Sequence, residues 1–200
     1  MPAALPPHYL REIAREEVNA LPVGGYEGEI VMVATRRDYD RAWEDLASEV
    51  WVGWDTETRP AFRVGESYRP SLVQAATARA VYLFPLAKMD FSKVVGGLFA
   101  EPTIVKAGIS VADDLRKLKE VFHFEEASVL DLGHVARGAG LKQTGLRNLS
   151  AVFLGFRVPK GSKTTNWAAP RLTAQQVRYA ATDAWACREL YLKFRALGML

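Results

Sequence analysis

The sequence is poor in cysteine and has no long apolar run, and these absences exclude several classes of protein. Cys187 is the single cysteine among 200 residues, which excludes an internal disulfide. No C-x-x-C pair or Cys/His cluster is present, which argues against structural zinc and favours a reducing compartment. Residues 1–8 lack the basic and apolar regions of a signal peptide, and no window approaches the length of a membrane span. We therefore expect a soluble, cytoplasmic protein.

Acidic residues are missing from residues 132–182. This window holds eight basic residues: Arg137, Lys142, Arg147, Arg157, Lys160, Lys163, Arg171 and Arg178. The rest of the chain holds 18 basic and all 23 acidic residues, a net charge of −5. This polarity favours a polyanionic partner, and nucleic acid before membrane, because no basic helix with a large apolar face accompanies it. A merely solvated basic surface is the alternative.

Length and composition favour one compact domain, because 49% of the residues are apolar and can form a core without disulfides or metals. The order of the predicted elements, strands first and then alternating strands and helices, favours an α/β sheet with mixed strand directions. We expect residues 1–27 to form an N-terminal appendage with a helix over 8–20, and residues 28–200 to form the domain. Apolar and β-branched runs predict strands over 29–35, 50–55, 71–77, 80–85 and 103–107, and one ending near residue 131. Helical spacing predicts helices over 38–48, 90–99, 146–154 and 172–197, one through Asp114 and one ending near Arg137.

The predicted strand over 50–55 ends in two carboxylates, Asp55 and Glu57, separated by one residue. Side chains alternate along a strand, so both carboxylates project to the same side at its C-terminal end. Without a cation they would repel each other, whereas a hard divalent cation such as Mg2+ or Mn2+ would take their oxygens as ligands. Because such a triplet also occurs by chance at solvated strand ends, it needs support from elsewhere in the chain.

Two further segments place acids at helical spacing. Asp114 falls on an apolar stripe and its neighbour Asp113 falls off it. The stripe consists of Val111, Asp114, Leu115, Leu118, Val121 and Phe122. Alternatively, Asp114 lies at the border of the stripe and Asp113 is an N-terminal charge favoured by the helix dipole. In the last predicted helix, for which Thr173 is a good N-cap, Tyr179 and Asp183 are four residues apart and share one face.

Together these segments resemble the DEDD superfamily of 3′–5′ exonucleases (DnaQ-like), in the DEDDy branch that includes ribonuclease D and the exonuclease domain of the Werner syndrome helicase. The matching motifs are Asp55-Thr-Glu57, Gly108 through Asp114-Leu115 with Leu118, and Tyr179-x-x-x-Asp183. In the sister branch a histidine stands five residues before the last aspartate, where this chain has Arg178. The resemblance spans about residues 29–195 and is closer to the Werner-type domain. We expect the C-terminal helical modules of ribonuclease D to be missing, because the sequence stops at Leu200.

The resemblance implies a ribonuclease H-like α/β fold: a mixed five-stranded sheet flanked by helices, to which an N-terminal strand could add a sixth. It also implies hydrolysis of nucleic acid from the 3′ end to nucleoside 5′-monophosphates with two divalent cations, Mg2+ or Mn2+. In that scheme Asp55 bridges both cations, Glu57 and Asp183 hold the ion that carries the water, and Asp114 holds the second ion. Tyr179 orients the water or helps to deprotonate it, and a phenol pKa near 10 favours orientation.

Four residues are candidate substrate-binding residues. Arg157, Lys160 and Lys163 suit phosphate contacts, with ordinary loop charges as the alternative. Trp167 stacks on a base or packs its loop against the core. Gln74, on a strand, is interpreted as structural, and no protein partner can be inferred.

Two rival functions remain open from the sequence. A ribonuclease H-like endonuclease or transposase would also use strand-borne carboxylates, but would lack Tyr179-x-x-x-Asp183 in this register. A non-catalytic ribonuclease H-like module that binds nucleic acid predicts the loss of at least one acid, and all four are present. DNA and RNA, and single strands and duplex ends, are equally compatible with these residues.

Overall fold

The computed structural model describes residues 5–63, 65–159 and 165–200, which form one sheet with helices on both faces. The strands are β1 (Glu29–Met32), β2 (Trp51–Thr58), β3 (Pro70–Ala76), β4 (Ala80–Pro85), β5 (Val105–Gly108) and β6 (Val129–Asp131). The helices are α1 (Pro7–Leu10), α2 (Arg15–Ala20), α3 (Arg36–Ala47), α4 (Gly97–Ala100), α5 (Ala112–Lys119), α6 (Leu132–Gly138), α7 (Leu146–Leu149) and α8 (Ala174–Ala196). Wider π-helical turns precede α4 at Ser92–Gly96 and follow α7 at Ser150–Leu154.

The strands lie in the order β1-β4-β3-β2-β5-β6, with β2 near the centre of the sheet. β3 is antiparallel to both of its neighbours, whereas the other three pairings are parallel. This mixed sheet confirms the predicted fold class, with β1 added at one edge as the sixth strand.

The residues of β3 alternate between two apolar layers, as expected for a sheet covered on both faces. Val73 and Ala75 belong to a core cluster that also includes residues of α3 and α5. Leu72 and Ala76 belong to a different cluster that includes residues of α8. The central strands therefore lie between an α3/α5 layer and an α8 layer, and both are within reach of the C-terminal end of β2.

Close packing of α8 on β2 depends on Gly53. A Cβ atom at this position would lie 2.1 Å from the carbonyl oxygen of Ala184 and 2.4 Å from the amide nitrogen of Arg188. Both contacts are with helix backbone, which cannot rotate away as a side chain can. The absence of a side chain at Gly53 thus lets the helix that carries Asp183 pack against the strand that carries Asp55.

The prediction of one helix over residues 8–20 is wrong, because α1 and α2 are separate short helices with extended backbone at Arg11 and Ala14. Between them the backbone of Ile13 forms two hydrogen bonds with the Gln143 side chain, and Ile13 itself is buried. In a continuous helix the Ile13 amide and carbonyl would form hydrogen bonds within the helix, so their bonds to Gln143 interrupt the helix. Farther along, Val23 forms a bridge with Arg157, so the appendage runs along the domain rather than away from it.

Several other predicted boundaries also shift. The strand predicted over 29–35 ends at Met32, and the helix predicted over 146–154 is α-helical only to Leu149. β2 was expected to end at Asp55, but it continues to Thr58 because β3 pairs with it through Thr58 and Pro70. The predicted helix over 90–99 begins instead with the π-helical turn and becomes α-helical only at Gly97. In the described part of the chain, no helix combines the length and the apolar character needed to cross a membrane.

Candidate active site

The strand β2 presents two carboxylates to the α8 layer. Asp55 and Glu57 lie on the same side of the strand as Gly53, against which α8 packs. Trp54 and Thr56 lie on the opposite side, and Trp54 belongs to the core cluster of the α3/α5 layer. The alternation predicted from the sequence is therefore present, and it directs both carboxylates toward α8.

The helix α8 supplies a third carboxylate and a phenol. Its first turn is fixed by Thr173, whose side chain accepts a hydrogen bond from the Gln176 amide while the Gln176 side chain bonds back to the Thr173 amide. Tyr179 and Asp183 follow on one face, and Asp183 is only 4% exposed. Because Ala184 contacts β2 at Gly53, Asp183 is brought to the strand at the level of its two acids.

The fourth carboxylate, Asp114, comes from the other layer. It lies in the first turn of α5, whose Leu118 is buried in the α3/α5 core. The Thr56 hydroxyl donates a hydrogen bond of 2.5 Å to Asp114 Oδ1, so the side of β2 that faces away from α8 holds this acid. Asp113, by contrast, is exposed and pairs with Arg116 and Lys117, as its place off the apolar stripe predicted.

Burial raises the pKa values of all four acids, and repulsion from neighbouring acids raises those of Asp55 and Glu57 further. Loss of solvation, followed by the charges of Asp183 and Glu57, raises the pKa of Asp55 well above its usual value. Burial and then Asp183 and Asp114 raise the pKa of Glu57 to about 8. Burial raises the pKa of Asp183 to about 7 and also raises that of Asp114. Three separate elements thus bring together four acids that burial makes costly to ionise, and at Asp55 and Glu57 the charges of the other acids add to that cost.

Tyr179 belongs electrostatically to the same group. Burial, followed by the negative charge of Asp183, strongly raises the pKa of its phenol, and Glu57 and Asp55 contribute in the same direction. The phenol is therefore protonated at neutral pH and can act as a hydrogen-bond donor. It is a poor general base in this setting.

A cavity of about 800 Å3 lies against the N-terminal part of α8 and is lined by Tyr179. One wall is formed by Gly24 and Gly25 of the appendage, and another by exposed residues of α8. Arg171 and Arg178 supply positive charge to its lining, and the guanidinium of Arg178 lies 3.8 Å from Glu27. The cavity therefore combines cationic groups and amide side chains, and Tyr179 is the residue of the site that lines it.

The predicted substrate-binding residues have different surroundings. Lys160 and Lys163 lie outside the described residues. Arg157 binds the appendage, because its Nε donates to the Leu21 carbonyl at 3.1 Å and its backbone bonds to Pro22 and Gly24. Trp167 is 8% exposed, packs near Tyr179 with ring centroids 6.1 Å apart, and contributes an edge to the cavity. Packing against the core therefore accounts for most of the Trp167 surface.

Comparison with known proteins connects this geometry to a family. The profile of the 3′–5′ exonuclease family matches residues 30–198. The chain belongs to this exonuclease family. The matched segment contains all four acids and Tyr179, and it begins after the appendage.

Named relatives of this exonuclease domain are longer proteins. The bifunctional 3′–5′ exonuclease/ATP-dependent helicase WRN of Mus musculus is 29% identical over 89% of this chain. A ribonuclease D of Gluconacetobacter diazotrophicus is 29% identical over 80% of the chain. The matches span 13% and 41% of those two proteins. Among solved structures, the Nibbler EXO domain of Aedes aegypti superposes with a TM-score of 0.78 at 20% identity, covering 88% of this chain and 92% of that one, which supports the fold.

The donor set of the exonuclease domain suits hard divalent cations. Carboxylate oxygens are the ligands such ions prefer, and four carboxylates lie near one another here. Asp183 Oδ1 is buried and has no hydrogen-bonding partner among the described residues, as expected for an oxygen that serves another ligand. Throughout those residues, no three His, Cys, Asp or Glu side chains are already gathered into a metal-binding arrangement. The acids are thus close enough to repel but are not closed around one point.

The sequence interpretation missed two features of the site. Thr56 was treated only as the spacer between Asp55 and Glu57, yet its hydroxyl anchors Asp114. The sequence offers one signal for this role of Thr56, a β-branched residue with a hydroxyl on the face opposite the acids. Such residues are too common in strands to identify a partner for Asp114. Arg171 and Arg178 were counted in the basic window but not selected, because only the fold places them beside Tyr179.

Proposed function

We propose that this domain is a metal-dependent 3′–5′ exonuclease that releases nucleoside 5′-monophosphates one at a time from a nucleic acid 3′ end. The observation that carries the proposal is the convergence of Asp55, Glu57, Asp114 and Asp183, with raised pKa values, beside a protonated Tyr179. Such a cluster is costly to the fold, and a role as ligands for cations explains it. The single cysteine remains compatible with a cytoplasmic location, which we also propose.

The four carboxylates would hold two divalent cations, Mg2+ or Mn2+. When bound, such a pair supplies a water activated for attack and charge neutralisation for the leaving 3′-oxygen. The charges of Asp183, Glu57 and Asp55 act on Tyr179, whereas Asp114 is held from the opposite layer by Thr56. Tyr179 donates a hydrogen bond that orients the attacking water, because its phenol keeps its proton at neutral pH.

The strand that leads to the scissile phosphate would enter through the cavity beside Tyr179. Its phosphates would contact Arg171 and Arg178. Phosphate contacts are also proposed for Lys160 and Lys163, as expected from the basic character of their segment of the sequence. The exposed edge of Trp167 would contact a base, whereas Arg157 would act mainly by holding the appendage in place. Both DNA and RNA fit this description, since phosphate contacts carry no sugar specificity.

A degradation assay on 5′-labelled oligonucleotides tests this function. We expect a ladder of shortening products with Mg2+ or Mn2+, no products with excess chelator, and binding without turnover with Ca2+, which accepts looser geometry and more ligands. Asp183→Asn is the matched variant that should be inactive while it retains the fold. Cleavage of a circular single strand would indicate an endonuclease. Binding without hydrolysis under every metal condition would favour the non-catalytic module.

A further inference from the structure

The side chain of Gln74 is buried beside the acids. Gln74 lies on β3 directly opposite Asp55 of β2 in the antiparallel register. Residues opposite each other in such a pair project to the same face, with Cβ atoms about 4.5–5.5 Å apart. Leu72 and Ala76, two residues away on either side, pack in the cluster that includes α8. Gln74 therefore faces α8 from the position next to Asp55.

The amide of Gln74 has no partner within the protein. Its relative exposure is 0%, and neither Nε2 nor Oε1 has a hydrogen-bonding partner among the described residues. A buried amide left in this state destabilises a fold, and an apolar side chain of similar size would avoid the loss. Stability alone therefore does not explain a glutamine at this position.

The neighbouring carboxylates receive few hydrogen bonds from the described residues. Asp55 Oδ1 accepts from the Thr56 amide at 2.9 Å, and Asp183 Oδ1 is a buried acceptor without a partner in the described chain. Carboxylates that bind metals are commonly oriented by hydrogen bonds from surrounding residues. An amide nitrogen next to Asp55 is suited to this task, because it donates without adding charge.

We propose that Gln74 is a positioning residue for Asp55. Its Nε2 donates to the Asp55 carboxylate when the acids are ionised around their cations, and this fixes the direction of the oxygens that bind metal. The inference rests on the proposed exonuclease function, because it requires that Asp55 bind a cation. It reverses the interpretation of Gln74 as a purely structural residue.

Substitution by an apolar residue of similar length separates positioning from packing. For Gln74→Met we expect a higher melting temperature in excess chelator, because the unsatisfied amide is gone. We also expect about 10- to 100-fold weaker Mn2+ binding by calorimetry, the usual cost of losing an outer-shell partner. Gln74→Leu should behave in the same way and serves as a second variant. Leu83→Met is the matched control, because Leu83 pairs with Gln74 from β4 on the same face and a volume-conserving swap should leave Mn2+ affinity unchanged.

A spectroscopic readout follows the amide directly. The side-chain NH2 resonance of Gln74, identified by its loss in Gln74→Met, should shift and exchange more slowly when Mg2+ is added to the wild-type protein. The inference is overturned if both Gln74 variants bind Mn2+ as tightly as the wild type. It is also overturned if Mg2+ does not change the NH2 resonance. Neither result contradicts the proposed function. If the wild-type protein binds no Mn2+ and so behaves as Asp183→Asn is expected to, both the inference and the proposed function are overturned.

Discussion

At the scale of single residues, Asp113 and Asp114 are neighbours with opposite surroundings. Asp113 is exposed and paired with Arg116 and Lys117, which lowers its pKa, whereas burial raises the pKa of Asp114. We predict that Asp114→Ala lowers kcat by more than the ~10–100-fold that the loss of an outer-shell partner costs. Asp113→Ala should leave kcat unchanged, because its exposed side chain pairs with Arg116 and Lys117 and not with the site. The fold should tolerate the change, since an exposed ion pair contributes only about 0–1 kcal/mol to stability. Steady-state release of labelled nucleotide at saturating substrate measures kcat for both variants.

The same assay checks which face of α5 is turned toward the site. Equal losses in the two variants would mean that both aspartates reach the site, contrary to the contacts of Asp113. The kcat of Thr56→Val should lie between those of Asp114→Ala and Asp113→Ala, because this substitution removes the hydroxyl that holds Asp114 but leaves all four carboxylates. Partial recovery in Thr56→Ser would assign the effect to the hydroxyl.

At the scale of elements, the contact of α8 with β2 aligns the acids. We predict that Gly53→Ala destabilises the protein by about 1–3 kcal/mol, because its Cβ would lie 2.1 Å from a helix carbonyl and the helix must move. Turnover should fall as well, since displacing catalytic groups by about 1 Å can cost ~10²-fold. Urea unfolding and the degradation assay report the two effects.

Gly138→Ala provides the control for Gly53→Ala. Gly138 ends α6, and a Cβ there would meet no atom within 4 Å. The substitution should be neutral or stabilise the protein by up to about 1 kcal/mol, with normal turnover. A Gly53→Ala protein that matched Gly138→Ala in both measurements would show that close packing of α8 is not required.

At the scale of the whole molecule, the acidic cluster should make stability depend on pH. The folded pKa values of Glu57, about 8, and Asp183, about 7, lie above those of the same groups in an unfolded chain. The folded protein therefore binds more protons than the unfolded one between about pH 4 and pH 8, and its stability falls as pH rises through that window. We predict a lower melting temperature at pH 7.5 than at pH 5.5 in excess chelator, with recovery when Mn2+ is added.

Removal of one charge should reduce that dependence. Asp183→Asn removes one carboxyl whose pKa is raised and also the charge that most raises the pKa of Glu57, so its melting temperature in chelator should change less between pH 5.5 and pH 7.5. Wild-type stability that rises over this range without metal would contradict the raised pKa values.

The polarised charge of the molecule gives a prediction about salt. Arg171 and Arg178 line the cavity beside Tyr179, whereas Arg137 is an exposed residue of the same basic window on α6. We predict that the double variant Arg171→Ala/Arg178→Ala weakens oligonucleotide binding about equally for all sequences. Its salt dependence should also flatten, by about 0.7 per lost phosphate contact on a single strand. Fluorescence anisotropy over a salt series, with Ca2+ in place of Mg2+, measures this.

Arg137→Ala is the control variant, because it removes a positive charge away from the cavity. It should leave the salt dependence of oligonucleotide binding unchanged. Equal effects of the two substitutions would mean that the basic window acts as a diffuse charge rather than as a path. Lys160→Ala/Lys163→Ala should reduce the slope as the cavity variant does. Arg157→Ala should instead lower the melting temperature, since its guanidinium bonds to the appendage.

The sequence by itself determined the elements that carry the chemistry. Alternation along a strand is a local property, so Asp55 and Glu57 could be assigned to one face before any fold was known. Helical spacing is equally local, which placed Tyr179 with Asp183 and separated Asp114 from Asp113. The capping residue Thr173 and the start of α8 followed from the same kind of rule.

Contacts between distant segments were decided only by the tertiary structure. Thr56 holds Asp114 across 58 positions of sequence, and Gln74 meets Asp55 because β3 pairs with β2 in one register. The helix predicted over residues 8–20 fails for a similar reason, since Gln143 binds the Ile13 backbone from 130 residues away. Periodicity encodes which face of an element is buried, but the partner on that face depends on how the layers pack, and no local pattern specifies that.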